Sequence, residues 1–202
     1  MEYVLAVVLG YLFGCSHMSY YISKIKNINI KEEGSKNYGA SNTVALAGFK
    51  AGFIVFLHDL LKGLLAVVLS EFLFDMPWIG VVAGIAAVWG HIFPFYLKFD
   101  GGKGFATFMG VMLALDWKYG LCIMAIGLLL ALLTDYVVAG TFSIVGVTPI
   151  YMFVAHDWII GLFMLLLSLL IFLKHHENIY NLCTNNGKEM RIRKALKKDY
   201  KK

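Results

Sequence analysis

The stretch Ala51–Phe74 reads AGFIVFLHDLLKGLLAVVLSEFLF, an apolar run long enough to cross a lipid bilayer as one helix. Of the 202 residues in the chain, 59% are apolar and 15% are charged, whereas soluble globular proteins carry about 25% charged residues. This composition excludes a soluble globular domain, a disordered chain and a coiled coil. Six more apolar runs are Tyr3–Ser23, Trp78–Leu97, Gly104–Leu115, Gly120–Leu133, Val137–Val154 and Trp158–Leu173. We therefore predict an all-α integral membrane protein with about seven transmembrane helices.

The seven runs leave no room for a separate soluble domain. We expect residues 1–202 to form a single membrane-embedded domain, in which residues 175–202 are a basic cytoplasmic tail. The three cysteines, Cys15, Cys122 and Cys183, are scattered and lack paired spacing, which argues against a disulfide framework and against a zinc site.

The orientation of the chain follows from its basic residues. Lysines concentrate in loops that follow odd-numbered runs and in the tail after Lys174, whereas the other side carries Lys118 alone among several acidic residues. Cytoplasmic loops of membrane proteins are enriched in Lys and Arg. We therefore predict an external amino terminus and a cytoplasmic carboxyl terminus. The inner lysines before the tail are Lys24, Lys26, Lys31, Lys36, Lys50, Lys98 and Lys103.

The first inner loop, Glu33–Asn42, reads EGSKNYGASN. Closely spaced Gly, Ser and Asn residues allow a backbone to direct several N–H groups toward one anion. The alternative is an ordinary solvated loop without a ligand.

The second inner loop, Phe99–Thr107, reads FDGGKGFAT. Three glycines surround Lys103 directly before an apolar run, so backbone amides and an ammonium group could meet a phosphate at a helix N-terminus. The glycine spacing is not that of a Walker loop, and no Ser or Thr follows the lysine directly.

A third polar stretch follows the last apolar run. Lys174–Leu182 reads KHHENIYNL, and Gly187-Lys188-Glu189 comes shortly after it. The adjacent histidines lack further ligands at convincing spacing, so we do not expect a metal site.

Asp59 and Lys62 lie three residues apart inside an apolar run. Placing ionisable residues inside an apolar span costs free energy, so their presence points to a function. A buried ion pair that only fixes the second helix is an equal alternative. His91, followed by Pro94, lies near the inner end of the third run, where support of the neighbouring loop is more plausible than direct catalysis.

Together, these stretches resemble the bacterial membrane acyltransferases that move a fatty acyl group from acyl phosphate to glycerol 3-phosphate (the PlsY type). The resemblance covers nearly the whole chain. The shared patterns are Gly-Ser-x-Asn-x-Gly-x-x-Asn from Gly34 to Asn42, Asp59-x-x-Lys62-Gly63, Gly90-His91-x-x-Pro94, Gly-Gly-Lys-Gly from Gly101 to Gly104, His175-x-x-Asn178-Ile179 and Gly187-x-Glu189.

The resemblance implies a helical enzyme of the bacterial cytoplasmic membrane that makes lysophosphatidate and phosphate in the first step of phospholipid synthesis. It implies no metal or organic cofactor, no nucleic acid partner, contact with membrane lipids, and a metabolic link to a soluble enzyme that forms acyl phosphate. The implied catalytic residues are Ser35, Lys103, His175 and Asn178; the implied phosphate- or substrate-binding residues are Gly34, Asn37, Gly39, Asn42, Gly101, Gly102 and Gly104; the implied supporting residues are Asp59, Lys62, His91 and Glu189. For Asn42 and Asn178, bonding within a loop or helix cap is the alternative.

Four positions that are usually basic in this family are not basic here: Ala45, Asp100, Asp135 and Asn181. Losing one close charge from a phosphate site costs on the order of 1–3 kcal/mol, and Lys36, Lys50 and Lys98 are nearby replacements. Three hypotheses follow: the ordinary reaction, an acyltransferase of the same fold with a less anionic acceptor, or a non-catalytic homologue that acts in transport or as a scaffold. The first hypothesis is favoured because the serine, the lysine and the asparagines of the motifs are in place.

Overall fold

The computed structural model describes residues 1–184 and 191–193. In these residues the secondary structure is helical, apart from one isolated antiparallel bridge between Tyr136 and Arg191. The prediction of an all-α chain is therefore confirmed. The helices are α1 (Glu2–Cys15), α2 (Met18–Ile25), α3 (Ala40–Ala47), α4 (Phe49–Leu73), α5 (Ile79–Ile92), a 3₁₀ turn (Phe95–Leu97), α6 (Phe105–Leu115), α7 (Trp117–Thr134), α8 (Val137–Ala155), α9 (Trp158–Lys174) and α10 (His176–Cys183).

All seven predicted apolar runs are helical, but they differ in length. Within the described residues, five stretches are long and apolar enough to cross a membrane, and α9 with α10, which meet at 55°, make a sixth candidate. Helix α6 has 11 residues, which corresponds to about 16 Å, or roughly half of a hydrocarbon core. The five are Glu2–Ile25, Phe49–Leu73, Ile79–Leu97, Trp117–Thr134 and Val137–Ala155.

The chain forms two compact units, Met1–Gly120 and Leu121–Lys202. In the first unit, α1 packs along α5, and α4 packs on α5 and α6. The close approach depends on glycine: a Cβ at Gly14 would overlap the carbonyl of Ala87, and a Cβ at Gly63 would overlap the carbonyl of Thr107. Small residues are what helices in lipid use to bring their backbones together.

The first membrane stretch is broken between α1 and α2, at Ser16 and His17, which have extended backbone angles. The break frees the carbonyls of Cys15 and Ser16, and each finds a side-chain donor. The Tyr96 hydroxyl donates to Cys15 O over 2.8 Å, and Lys62 Nζ donates to Ser16 O over 2.6 Å. A helix break at membrane depth is tolerated where protein groups satisfy the backbone in this way.

In the second unit, α8 packs against α9. Asp157 caps α9, because its Oδ1 accepts the N–H of Ile159 over 2.8 Å. Asp135, between α7 and α8, accepts the N–H of Arg193 over 2.9 Å, and the guanidinium of Arg191 donates to the Tyr136 hydroxyl over 2.8 Å. The acidic residue at position 135 therefore holds residues 191–193 against the start of α8.

Candidate active site

The first inner loop is organised by one side chain, Asn42. This residue lies in α3 and is 2% exposed. Its Oδ1 accepts the N–H of Ser35 over 2.8 Å, and its Nδ2 lies 3.0 Å from Ile30 O, 3.2 Å from Asn37 O and 3.3 Å from Glu33 O. These contacts occupy the amide of Asn42, so they favour the alternative in which Asn42 bonds within the loop over direct contact with a substrate.

The glycines of this loop leave space for that amide. Gly34 has φ +62°, and a Cβ there would overlap Asn42 Oδ1. Gly39 precedes α3, where its carbonyl accepts the Thr43 hydroxyl over 3.0 Å. The structure thereby leaves Ser35 exposed and Asn37 half-exposed at the surface of a tightly tied loop.

The second inner loop is pinned to the end of α5. Gly101 N–H donates to Ile92 O and Gly102 N–H donates to His91 O, each over 3.0 Å. This differs from the expectation that both amides face a phosphate, because these two donors are already used within the protein. Lys103 is half-buried, and Gly104, with φ +84°, is the N-cap of α6. The amides at the start of α6, together with Lys103, remain as the candidate phosphate ligands.

Beneath this loop lies a cluster of ionisable side chains in α4 and α5. Lys62 Nζ is 2.9 Å from Asp59 Oδ1, and both side chains are 3% exposed. His91 Nδ1 lies 3.6 Å and His58 Nδ1 lies 3.4 Å from the same Asp59 oxygen. The predicted Asp59–Lys62 pair is therefore present, and it continues into His91, whose carbonyl holds Gly102.

His17 and His91 lie next to the inner loops: the His17 ring centre lies 6.1 Å from that of Tyr38, and His91 O accepts the N–H of Gly102. Their rings stack with centroids 4.9 Å apart, and His17 Nε2 lies 3.0 Å from His91 O. A Cβ at Gly102 would overlap His91 Nε2 and come within 2.7 Å of Tyr38 O. The structure thus brings the first loop, the second loop and the buried charge cluster together at Gly102.

Sequence reasoning missed three residues of this region: His17, Tyr38 and Tyr96. Their contacts depend on the break between α1 and α2, which no residue pattern marks. Lys31 was also missed; its Nζ lies 2.6 Å from Asp100 Oδ2. The one signal in the sequence that pointed to Lys31 was Asp100, an acidic residue at a usually basic position. A carboxylate at such a position indicates that a cation lies close to it.

The third polar stretch lies in the second unit. His175 is 7% exposed, and its Nδ1 lies 2.8 Å from Ile171 O. Its backbone N–H is shared between Ile171 O and Phe172 O, which tightens and ends α9. Helix α9 does not continue straight through His175 and Asn178, because the chain bends by 55° between α9 and α10.

Asn178 lies in the first turn of α10 and Asn181 lies in its last turn, and both are half-buried. Gly187 and Glu189 of the third motif lie outside the described residues. Within residues 1–184 and 191–193, no three His, Cys, Asp or Glu side chains are grouped to ligate a metal ion.

Comparison with known proteins places this arrangement in a family. A statistical model of the family described as glycerol-3-phosphate acyltransferase matches residues 4–185. The glycerol-3-phosphate acyltransferase of Thermoanaerobacter sp. (strain X514) is 37% identical over 201 residues, which cover 98% of this chain and 100% of that protein. The chain belongs to the glycerol-3-phosphate acyltransferase family. Another relative, from Clostridioides difficile (strain 630), is 36% identical over 95% of this chain and 96% of its own length.

Two solved structures of PlsY, an integral membrane glycerol 3-phosphate acyltransferase, have a similar fold. The glycerol 3-phosphate form has a TM-score of 0.87 at 30% identity and covers 95% of this chain and 96% of that chain. The lysophosphatidic acid form has a TM-score of 0.83 at 32% identity and covers 95% of both chains. The family resemblance seen in the motifs is therefore confirmed over nearly the whole length.

Proposed function

We propose that this family member transfers a fatty acyl group from acyl phosphate to glycerol 3-phosphate, giving lysophosphatidate and phosphate. The observation that carries the proposal is the family match over residues 4–185, with Ser35, Lys103, His175 and Asn178 all present at their motif positions. The PlsY structures in glycerol 3-phosphate and lysophosphatidic acid forms support the acceptor and the product.

The reaction needs no covalent enzyme nucleophile, because acyl phosphate is an activated mixed anhydride. The glycerol hydroxyl oxygen forms a new bond to the acyl carbon, and the bond between that carbon and the phosphate oxygen breaks. Phosphate leaves with the electron pair and takes up the hydroxyl proton. The enzyme must therefore hold two anions together and align the hydroxyl with the carbonyl.

Lys103 and the amides at the start of α6 supply positive charge for a phosphate group. Gly101 and Gly102 support them from below through their bonds to the end of α5. Ser35 and Asn37, on the surface of the first loop, are the hydrogen-bond partners proposed for the substrates. Asn42 acts as a positioning residue, since its amide holds the loop that carries them.

Asp59, Lys62 and His91 also act as positioning residues. Lys62 ties α4 to the freed Ser16 carbonyl, and His91 holds Gly102. In the second unit, His175 and Asn178 are proposed to orient the hydroxyl or a phosphate. Glu189 is proposed as a supporting residue on sequence grounds alone.

We further propose seven membrane crossings in the bacterial cytoplasmic membrane, with α6 as a short crossing, an external amino terminus and residues 175–202 as a cytoplasmic tail of one membrane-embedded domain. The lysine distribution supports this orientation. A soluble enzyme that forms acyl phosphate is the proposed metabolic partner, since the donor's charged head faces the cytoplasm in this topology.

A reporter experiment tests the orientation. An alkaline phosphatase fused after Lys202 should be inactive, and the same enzyme fused at Met76 should be active, because it folds only outside the cytoplasm. The reverse pattern would contradict the proposed function as well, since the motif loops would then face away from phosphorylated metabolites.

The reaction itself is tested with purified protein, palmitoyl phosphate and a panel of acceptors, by measuring phosphate release. Glycerol 3-phosphate should give the highest kcat/KM. A preference for glycerol or another neutral acceptor would favour the altered-acceptor alternative. Absence of acyl transfer to every acceptor would favour a non-catalytic homologue.

Gly102→Ala tests the packing of the second loop. The added Cβ overlaps the His91 ring and approaches the Tyr38 carbonyl, and overpacking of this kind costs about 1–3 kcal/mol. We expect acyl transfer to fall by about tenfold. Gly146→Ala is the matched control, because a Cβ at Gly146 meets nothing within 4 Å. Equal activity of both variants would mean that the loop does not need its close contact with His91.

Ala45→Arg tests the acceptor. Ala45 is exposed in α3, three residues after Asn42, so an arginine has room there. If glycerol 3-phosphate is the acceptor, this change, alone or with Asn181→Arg, should lower its KM severalfold, because arginine binds phosphate with two hydrogen bonds. Glycerol serves as the control acceptor. Unchanged kcat/KM for both acceptors would show that neither position contacts the acceptor.

A further inference from the structure

The break between α1 and α2 places a serine against a histidine of α4. Ser16 Oγ lies 3.0 Å from His58 Nε2, although the two residues are 42 positions apart in sequence. Both residues are half-buried. Neither belongs to the patterns that carry the family resemblance, and the proposed reaction uses neither side chain. A polar pair inside a membrane span costs free energy, so this contact needs an explanation of its own.

The neighbouring carboxylate decides which nitrogen of His58 carries a proton. His58 Nδ1 lies 3.4 Å from Asp59 Oδ1, and a carboxylate oxygen only accepts hydrogen bonds. A proton on Nδ1 satisfies this contact and leaves the lone pair on Nε2, which therefore accepts the Ser16 hydroxyl. Carboxylate, imidazole and hydroxyl then follow one another in the order in which a histidine acts as general base toward a serine.

The fold holds Ser16 directly before a helix N-terminus. Its carbonyl accepts Lys62 Nζ, and its backbone is extended, with φ −65° and ψ 125°. In the described part of the chain, the N–H groups of Met18 and Ser19 at the start of α2 have no hydrogen-bond acceptor, and the buried Ser19 hydroxyl has no partner. Free donors of this kind stabilise the oxyanion that forms when a nucleophile attacks a carbonyl.

The surroundings of the pair favour a substrate with a long apolar chain. His58 shares a face of α4 with Ile54, four residues before it, and Leu61, three residues after it, which are 50% and 42% exposed. Leu12, four residues before Ser16, is 55% exposed. Lipid tails are as apolar as these side chains. A fatty acyl chain can therefore lie along this face with its carbonyl carbon at the serine.

We propose that Ser16 and His58 form a second catalytic site, which hydrolyses activated long-chain acyl compounds. In the first step the Ser16 oxygen bonds to the acyl carbon, and the bond from that carbon to the leaving oxygen breaks. His58 Nε2 takes the hydroxyl proton and passes it to the leaving group. In the second step a water oxygen bonds to the acyl carbon and gives a proton to Nε2. The Ser16 oxygen leaves with the electron pair and regains that proton, which releases the fatty acid.

Acyl phosphate is the activated acyl compound that the proposed function supplies, so its choice as the natural substrate rests on that function. The site removes acyl phosphate that meets no acceptor, and it does so without the loops that carry Ser35 and Lys103. A neutral activated ester, p-nitrophenyl decanoate, tests the chemistry without any phosphate.

The first experiment labels the nucleophile in the purified full-length protein in detergent. A long-chain alkyl fluorophosphonate bonds through phosphorus to an activated serine oxygen and loses fluoride. We expect an adduct on the peptide that contains Ser16, identified by mass spectrometry, and labelling slower by at least about a hundredfold in His58→Gln. Ser143, half-buried in α8, donates to Gly140 O over 2.8 Å and should remain unlabelled. Absence of an adduct at Ser16 in wild type would overturn the proposal, whether or not any variant folds.

The second experiment measures release of p-nitrophenol from p-nitrophenyl decanoate. Ser16→Ala should lower the rate by at least about a hundredfold, whereas Ser143→Ala, the matched control, should not change it. Both variants should keep the wild-type thermal midpoint and acyl transfer to glycerol 3-phosphate. An unchanged rate in Ser16→Ala would show that the pair only satisfies polar groups at the helix break. An equal loss of hydrolysis and acyl transfer in that variant would overturn a separate site.

Lys103→Ala separates this proposal from the proposed function. Hydrolysis of the neutral ester should persist in that variant, because the ester carries no phosphate for Lys103 to bind. A protein that is labelled at Ser16 and hydrolyses the ester, yet transfers no acyl group to any acceptor, would refute the proposed reaction and leave the second site intact. Acyl transfer without labelling at Ser16 would refute the second site alone.

Discussion

We expect Lys103→Ala to lower acyl transfer by about ten- to a hundredfold while the protein remains inserted and folded. A hydrogen bond to a charged group contributes roughly 1.5–3 kcal/mol, which corresponds to that range of rates. The side chain is half-buried directly before the N-terminus of α6, where an ammonium group and helix amides act on the same anion. The measurement is kcat/KM for palmitoyl phosphate and for glycerol 3-phosphate with each variant.

Two controls separate charge from packing in this experiment. Lys103→Arg keeps the charge and should retain much more activity than Lys103→Ala. Lys118→Ala removes a lysine at the start of α7, where its ammonium lies 5.7 Å from the Trp117 ring, and should act like wild type. Residual activity of Lys103→Ala above about a tenth of wild type would show that Lys103 is not a main phosphate ligand.

The positions of the helices could be predicted from the sequence because apolar length is a local property. Ala51–Phe74 and the helix Phe49–Leu73 agree to within two residues. The break at Ser16 and His17 could not be predicted in this way, since it depends on Lys62 and Tyr96, which are distant in sequence and supply donors to the freed carbonyls.

The motif residues of the first two inner loops and the Asp59–Lys62 pair lie close together in the structure, but the motifs do not predict the direction of their polar groups. Gly101 and Gly102 were expected to offer amides to a phosphate, and both amides instead bond to the end of α5. For Asn42 the sequence leaves substrate binding and bonding within the loop open, and the structure favours the second, because its amide ties together four backbone groups. The spacing of motif residues indicates which residues gather in a region. Tertiary contacts decide which of their polar atoms remain available to bind a substrate.

The two acidic residues at usually basic positions also have partners that the sequence does not reveal. Asp100 pairs with Lys31, and Asp135 holds the backbone of Arg193. Each substitution introduces a carboxylate whose partner lies far away along the chain. The sequence shows the changed charge, and only the fold shows the cation or N–H group that accompanies it.

Lys62→Met is expected to have the largest effect on stability. It leaves the Asp59 carboxylate buried beside two histidines without its ammonium partner, and it removes the donor to the Ser16 carbonyl. Removing one member of a buried ion pair costs about 3–5 kcal/mol. We therefore expect a clear fall in the thermal unfolding midpoint in detergent, together with loss of acyl transfer, because the same cluster supports Gly102 through His91.

The double variant Asp59→Leu/Lys62→Met is the decisive comparison. Replacing both charges by apolar groups removes the unpaired carboxylate, and such replacements are often neutral for stability. The double variant should therefore recover most of the lost thermal midpoint while acyl transfer stays low, since His91 has lost its contact with Asp59. If the double variant regained both stability and activity, the ion pair would serve only to fix α4, and the positioning role proposed for Asp59 and Lys62 would be wrong.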